Sequence, residues 1–366
     1  VIGSGTQPII WWDVIKNWRP GLAAFFSQKT LFKTRPLVGF IHALVAWGFT
    51  LYLLVNVIDV LYGFIPNFKF LPNSVFGDIY RLFVDIFTIL VLAGVLYLIL
   101  RRFLFKDTRL KTEQPVMLSE KALTGMRFDS ILVGSFIIIH VGSRLLSASF
   151  EIAGNHPDSS QPAANWLAGF WEGMPLESVH TLEHITWWMA LGLILAFLPY
   201  FPYSKHAHLF MGPLNIMATV DRNSMASLEA IDFEDEELEQ YGASKLEHLH
   251  QAQLLDGYAC IQCSRCQDAC PAYETGKELS PSAIEINKRY FLNENFSALA
   301  NGESIDKALT DWMLTEEAAW SCTTCGYCVE VCPVGNEPMI DILRARQDLV
   351  MMESKFPQDA VETFEK

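Results

Sequence analysis

Four apolar runs dominate the first two hundred positions, at 37–62, 79–103, 128–150 and 178–200. Each is about 20 residues or longer, enough for a helix to cross the hydrocarbon core of a bilayer. Ahead of them, residues 1–36 mix Trp11, Trp12, Trp18, Phe25, Phe26 and Phe32 with Lys16, Arg19, Lys29, Lys33 and Arg35. Aromatic and basic side chains together favour the headgroup layer, so this stretch reads as an interfacial segment; a soluble amphipathic helix is the plainer alternative. After position 218 the apolar runs stop. Residues 219–245 form an acidic linker that includes Glu234, Asp235, Glu236, Glu237 and Glu239, a charge run of the solvated kind. From 246 to 366 no period-two alternation is found, and Ser280-Pro281 marks a helix start. The pattern predicts an all-α protein: a transmembrane bundle of four spans over 37–218, then a helical soluble domain over 246–366.

Composition supports that division. Hydrophobic residues make up 51% of the 366, high for a wholly soluble chain. Residues 1–220 carry 16 Lys+Arg against 13 Asp+Glu, while 221–366 carry 11 against 28, which together give the net charge of −14. A strongly acidic domain repels nucleic-acid phosphates and excludes that class of partner. The link between the second and third runs holds Arg101, Arg102, Lys106, Arg109, Lys111, Lys121 and Arg127, whereas residues 151–177 contain no Lys or Arg. Basic loops stay on the cytoplasmic side. The expectation is a multi-pass protein of the cell's inner membrane, with the C-terminal domain in the cytoplasm. The chain opens on Val1 rather than Met and stops at Lys366 within a helical stretch, as a piece of something longer would.

The chemistry is carried first by cysteine. Cys260-Ile-Gln-Cys263-Ser-Arg-Cys266-Gln-Asp-Ala-Cys270-Pro271 and Cys322-Thr-Thr-Cys325-Gly-Tyr-Cys328-Val-Glu-Val-Cys332-Pro333 use all eight cysteines of the chain. Each run is C-x2-C-x2-C-x3-C-P, whose short gaps let three thiolates grip one face of a [4Fe–4S] cube. The fourth Cys of such a run ligates the other cluster when two are present. One cluster is therefore assigned to Cys260, Cys263, Cys266 and Cys332, the other to Cys322, Cys325, Cys328 and Cys270. Zinc sites or a labile disulfide scaffold are the alternatives.

Histidine comes second, because an ionisable group inside a span marks a functional candidate. His140 lies roughly 15 Å and His184 roughly 9 Å from the outer ends of their runs at 1.5 Å per residue. The two are expected to share a haem as axial ligands, with His180, one turn from His184, as an alternative ligand or a proton donor. His42 with His206 or His208, all near the cytoplasmic boundary, are candidates for a second haem. Arg144 looks unpaired within the third run, suited to a haem propionate or to snorkelling at a helix end. His180 and Glu183 are candidates for quinone proton chemistry. Asp59 and Asp85 read as interfacial residues.

With these residues in view, the chain resembles a known group. Cys260 to Pro281, with Pro-Ala-Tyr-Glu-Thr-Gly-Lys-Glu-Leu-Ser-Pro after the fourth Cys, is similar to the small iron–sulfur component of heterodisulfide reductases. Gly39-Phe-Ile-His42, Trp47-Gly-Phe and Pro202-Tyr-Ser-Lys-His206-Ala-His208 resemble the cytochrome b component of those systems, itself similar to the gamma component of respiratory nitrate reductase. The order, membrane part before clusters, resembles membrane iron–sulfur oxidoreductases that pass electrons from electron-transfer flavoprotein to menaquinone. The resemblance implies a helical ferredoxin domain, haem b, and menaquinone as membrane partner. Such proteins usually continue into cysteine-rich CCG modules, and no Cys follows Cys332 here. The cytoplasmic donor is then expected to be electron-transfer flavoprotein or a CCG-domain protein. The expected function is that of a membrane electron-transfer subunit; a haem-free membrane-anchored ferredoxin is the alternative.

Overall fold

A computed structural model describes residues 1–71, 74–155, 157–219, 231–234 and 239–364. The chain is built from helices: α1 (Trp11–Lys16), α2 (Trp18–Ser27), α3 (Lys29–Thr34), α4 (Pro36–Phe64), α5 (Val75–Phe103), α6 (Glu120–Gly154), α7 (Pro162–Ala168), α8 (Leu176–Phe197) and α9 (His208–Thr219). There follow α10 (Gln251–Ala259), α11 (Arg265–Asp268), α12 (Pro271–Glu274), α13 (Pro281–Glu294), α14 (Phe296–Ala300), α15 (Glu316–Ser321), α16 (Tyr327–Glu330), α17 (Pro338–Met351) and α18 (Gln358–Phe364). Among the described residues only two isolated β-bridges occur, Thr6 with His250 and Lys245 with Ala308. The all-α expectation holds. So does the helix start at Ser280-Pro281: the Ser280 hydroxyl accepts the Ala283 N–H at 3.2 Å, and Pro281 takes the first helical turn, where its missing N–H costs nothing.

By contact the chain divides into two units. One comprises Arg35–Lys106 and Phe128–Ser204. Within it, α4, α5 and α6 are long and apolar enough to cross a membrane. Their inner faces meet closely. A Cβ on Gly48 would stand 2.3 Å from Val91, and one on Gly94 would stand 2.7 Å from Val45, so glycine is what lets α4 and α5 approach. Their outer faces expose Leu53, Leu54, Val57, Ile86 and Ile89, as lipid-facing helices do. The fourth expected span does not reach the same standard. Helix α8 is 22 residues long, but Glu177, His180, Glu183 and His184 occupy its first half. Its uninterrupted apolar stretch runs only from Ile185 to Phe197, roughly 20 Å at 1.5 Å per residue. Among the described residues three helices qualify, not four.

The other unit gathers Val1–Thr34, Asp107–Arg127 and Lys205–Lys366. These boundaries differ from the expected divisions at 36, 218 and 245, because three outlying segments pack on the cluster domain. Thr6 N–H donates to Leu249 O at 2.9 Å and Gln251 N–H to Thr6 O at 3.0 Å. Asn17 Nδ2 donates to Met217 O at 3.3 Å, beside the close approach of Gly21 to Met217. One face of α1–α3, with Val14, Gly21 and Leu31, is thus buried, while Trp11, Trp12, Ile15, Trp18 and Phe26 stay exposed. The segment 107–127 is bracketed to the same unit: Gln267 Nε2 donates to Lys111 O at 2.7 Å, and Asn287 Nδ2 to Met117 O at 3.0 Å. Its core centres on Leu254, Ile284, Leu292, Ile342 and Leu349, with Phe291 stacked on Trp312 at 3.9 Å. Of the expected acidic linker, residues 220–230 and 235–238 lie outside the described residues.

Candidate iron–sulfur and membrane redox sites

The two cysteine runs fold into the same turn. Gln262 (φ 55°) and Ser264 (φ 58°) in the first match Thr324 (φ 53°) and Gly326 (φ 70°) in the second, all left-handed. This double reversal points backbone N–H groups inward, an arrangement suited to an anionic body. Thr324 N–H lies 3.4 Å from Cys322 Sγ and Asn336 N–H 3.2 Å from Cys332 Sγ. The helical turns α11 and α16 then carry the third Cys of each run, Cys266 within α11 and Cys328 within α16.

Two cavities result. Cys260, Cys263, Cys266 and Cys332 line the first, Cys270, Cys322 and Cys325 line the second, and Cys328 lines both. The fourth Cys of each run thus sits with the first three of the other. Among the described residues no group of three His, Cys, Asp or Glu is placed to hold a single metal ion. Zinc draws four sulfurs to about 2.3 Å from one centre, so cysteines that share a cavity without converging suit a larger body. Burial pushes the thiols of Cys260 and Cys328 up to about 12, and those of Cys266 and Cys332 well above the ordinary range. Such sulfurs become thiolates only against a cation, and binding it releases their protons.

Sequence reasoning missed what lies behind the first cavity. Lys288, fully buried on α13, donates to Asp341 Oδ2 at 2.5 Å, Gln253 O at 2.9 Å and Glu285 Oε2 at 3.2 Å. Asp256, also buried, accepts from Asn215 Nδ2 at 2.6 Å and from Glu337 N–H at 3.1 Å. Glu285 and Lys288, three positions apart, look in sequence like an ordinary solvated helix pair.

In the membrane unit, His140 is 6% exposed. Its Nδ1 lies 2.9 Å from Ala190 O, which can only accept, so Nδ1 carries the proton. Its Nε2 is buried with no hydrogen-bond partner. A backbone carbonyl anchoring one nitrogen while the other waits is how metal-ligating histidines are oriented. The ring stacks on Phe136 at 5.7 Å. His184 instead is exposed on α8. His180 is exposed too, its Nδ1 3.3 Å from Glu183 Oε2. His42 is half-buried in α4 and belongs to one unit; His206 and His208, with ring centroids 6.3 Å apart, belong to the other.

Three expectations are corrected. Arg144 is not alone: its Nε and Nη2 donate to Asp59 at 2.9 and 3.4 Å, tying α6 to α4. Asp59 is accordingly an ion-pair partner rather than an interfacial residue. Asp85 is buried at 4% exposure and accepts the N–H groups of Ala163 and Ala164 at 2.7 and 3.1 Å, capping α7.

Comparison with known proteins accords with an iron–sulfur domain around the cysteines. The model of the 4Fe-4S dicluster domain matches residues 256–336. The chain is 32% identical to the probable iron-sulfur-binding oxidoreductase FadF of Bacillus subtilis, over 92% of this chain and 50% of that protein. It is 28% identical to the EtfAB:quinone oxidoreductase of Syntrophomonas wolfei, over 93% of this chain and 49% of that one. A probable membrane-anchored ferredoxin of Chromohalobacter salexigens is 28% identical over 38% of this chain and 23% of its own length. The chain spans about half the length of the first two relatives. No solved structure matches. Residues 256–336 match a 4Fe-4S dicluster domain, and the chain is similar over nearly its whole length to an iron-sulfur-binding oxidoreductase and to an EtfAB:quinone oxidoreductase.

Proposed function

We propose that the chain is the membrane electron-transfer part of a quinone-linked oxidoreductase. One [4Fe–4S] cluster is held by Cys260, Cys263, Cys266 and Cys332, the other by Cys322, Cys325, Cys328 and Cys270. The observation that carries this reading is the exchange of Cys332 and Cys270 between the two cavities. Haem b fits the membrane unit at His140, whose buried Nε2 has no other partner; His184 or His180 on α8 is the proposed second ligand. When bound, the clusters and the haem supply one-electron carriers. The cysteines and the inward N–H groups of Thr324 and Asn336 hold the clusters and spread their negative charge. Ala190 O keeps the His140 proton on Nδ1. At the N-terminal end of α8, His180 Nδ1 and Glu183 Oε2 form a pair able to hand a proton to or from a quinone oxygen.

The donor is a soluble redox protein, electron-transfer flavoprotein or a CCG-domain protein, and the membrane substrate is menaquinone. These assignments are supported by the likeness to an EtfAB:quinone oxidoreductase. The cluster domain is proposed to face the cytoplasm, with the exposed tryptophans of α1 and α2 in the headgroup layer of the inner membrane.

Iron and acid-labile sulfide are expected at about eight each per chain. Either Cys332→Ser or Cys270→Ser would leave about four, the loss falling on the cluster of the opposite run. Zinc in place of iron would sink the reading. A pyridine-haem assay on His140→Ala is expected to show the loss of a haem, with His184→Ala and His42→Ala alongside. The likeness to a membrane-anchored ferredoxin favours a second reading, an electron relay without haem. Wild-type protein with full iron and no haem band would select it.

A further inference from the structure

The two cavities differ in what lies next to the sulfur. Apart from its cysteines, the second is lined by no ionisable side chain: Pro271, Leu279, Pro281, Met339 and Ile342 make up much of its wall. The first is lined by Glu285, 1% exposed, on α13, and by Arg265, 5% exposed, on α11, whose Nε donates to Thr34 Oγ1 at 2.7 Å. Glu285 Oε2 is held by Lys288 Nζ, while its Oε1 is buried without a hydrogen bond. The nearby Arg289 is also 1% exposed. Its Nη2 donates to Tyr258 O, two residues before Cys260, while Nε and Nη1 are buried and unpartnered. Glu285 and Arg289 are both electrostatic neighbours of Cys260.

Buried polar groups left in this state forfeit their hydration without return unless something else uses them. The rest of the network has its partners: Lys288 is committed to Asp341 and Gln253, and Asp256 to Asn215 and Glu337. On the side nearest Cys260, Glu285 Oε1 and Arg289 Nε and Nη1 have no hydrogen bond among the described residues. A thiolate-ligated cluster bears negative charge, gains one more on taking an electron, and sits where water does not screen a nearby cation.

We infer that Arg289 is a positioning residue that raises the reduction potential of the cluster in the first cavity. It does so through Cys260 and without touching the reacting partner. The inference rests on the proposed cluster ligation, and the two can fail separately: wild-type iron content and the reduced-cluster signals report on ligation, potentials of variants on Arg289.

The test is a redox titration of the full chain in detergent, followed by electron paramagnetic resonance, with iron counted in every sample. Arg289→Gln is expected to keep its iron and to lower the first cluster's reduction equilibrium about tenfold, which is about 59 mV for one electron. The second cluster should stay within about twofold of wild type, and Arg289→Lys should restore most of the shift, because charge rather than fork geometry is at work. Should Arg289→Gln lose iron, Arg289→Lys alone decides. Loaded and within about twofold of wild type it upholds the inference; displaced about tenfold it overturns it. Unchanged potentials in a loaded Arg289→Gln, or equal shifts of both clusters, overturn it as well.

Discussion

The two cysteine nests are the same turn in different surroundings. Both place left-handed residues at the second position after the first Cys and the first position after the second Cys. Both carry the third Cys on a single helical turn and present the fourth to the other nest. Behind the first stand Lys288, Arg289, Glu285, Asp341 and Asp256, all buried. Beside the second, Arg346 donates to Ala319 O at 2.6 Å and to Cys322 O, and Lys355 pairs on the surface with Glu353 at 2.7 Å and Glu316 at 3.6 Å. Cys325 and Tyr327 are exposed. Local sequence thus dictates how sulfur is gripped, and the tertiary fold dictates what the gripped body feels.

The sharpest way to break this comparison is to remove one cation from each side. Lys288→Met strands Asp341 and Glu285 in the interior and is expected to cost about 3–5 kcal/mol. Lys355 is half exposed, and Lys355→Ala is expected to cost less than about 1 kcal/mol. Denaturant unfolding of the loaded protein, read at the cluster absorbance, compares them. Equal costs would mean the buried network is not what supports the first nest.

A smaller effect concerns access. Cys270 and Cys328 of the second nest are buried, as Cys260 of the first is, but Cys325 alone of the eight faces solvent, whereas no cysteine of the first nest does. A chelator should therefore strip iron in two phases, with the second nest emptying several-fold faster. Cys270→Ser removes a ligand of that nest and should abolish the fast phase; Cys332→Ser should abolish the slow one. A single phase in wild-type protein would show that the exposure difference has no consequence for the clusters.

The nests were legible because their chemistry is written in short spacings: the run C-x2-C-x2-C-x3-C-P carries ligand number, turn and exchange together. Helix content was legible for the same local reason, as Ser280-Pro281 shows. What stayed hidden depends on partners distant in sequence. Arg144 looked unpaired because Asp59 is 85 positions away. Lys288 looked solvated because Asp341, 53 positions on, is brought to it only by α17 packing on α13. Among the described residues three helices rather than four have the length and apolarity of a span, because the apolar half of α8 adjoins a half that carries Glu177, His180, Glu183 and His184. His140 was found for the right reason, an ionisable group deep in an apolar helix. Its hydrogen bond to Ala190 O, which frees Nε2, belongs to the packing of α6 against α8.

The finest distinction between the nests lies at one equivalent position, Ser264 in the first and Gly326 in the second, at φ 58° and 70°. An L-residue with a Cβ pays roughly 1–2 kcal/mol in the left-handed region, which glycine enters without that penalty. Gly326→Ala should therefore destabilise the loaded protein by about 1 kcal/mol. Ser264→Gly should relieve a similar strain but restore backbone freedom to the unfolded chain, leaving a net change within about 0.5 kcal/mol. The magnitudes differ because one substitution adds strain and the other trades strain for entropy. Denaturant midpoints of the two variants, at matched iron content, measure this directly. A loss on Ser264→Gly as large as that on Gly326→Ala would mean that the Ser264 side chain, 5% exposed, contributes packing that outweighs its strained backbone, and the two turns would then be alike in shape but not in what holds them.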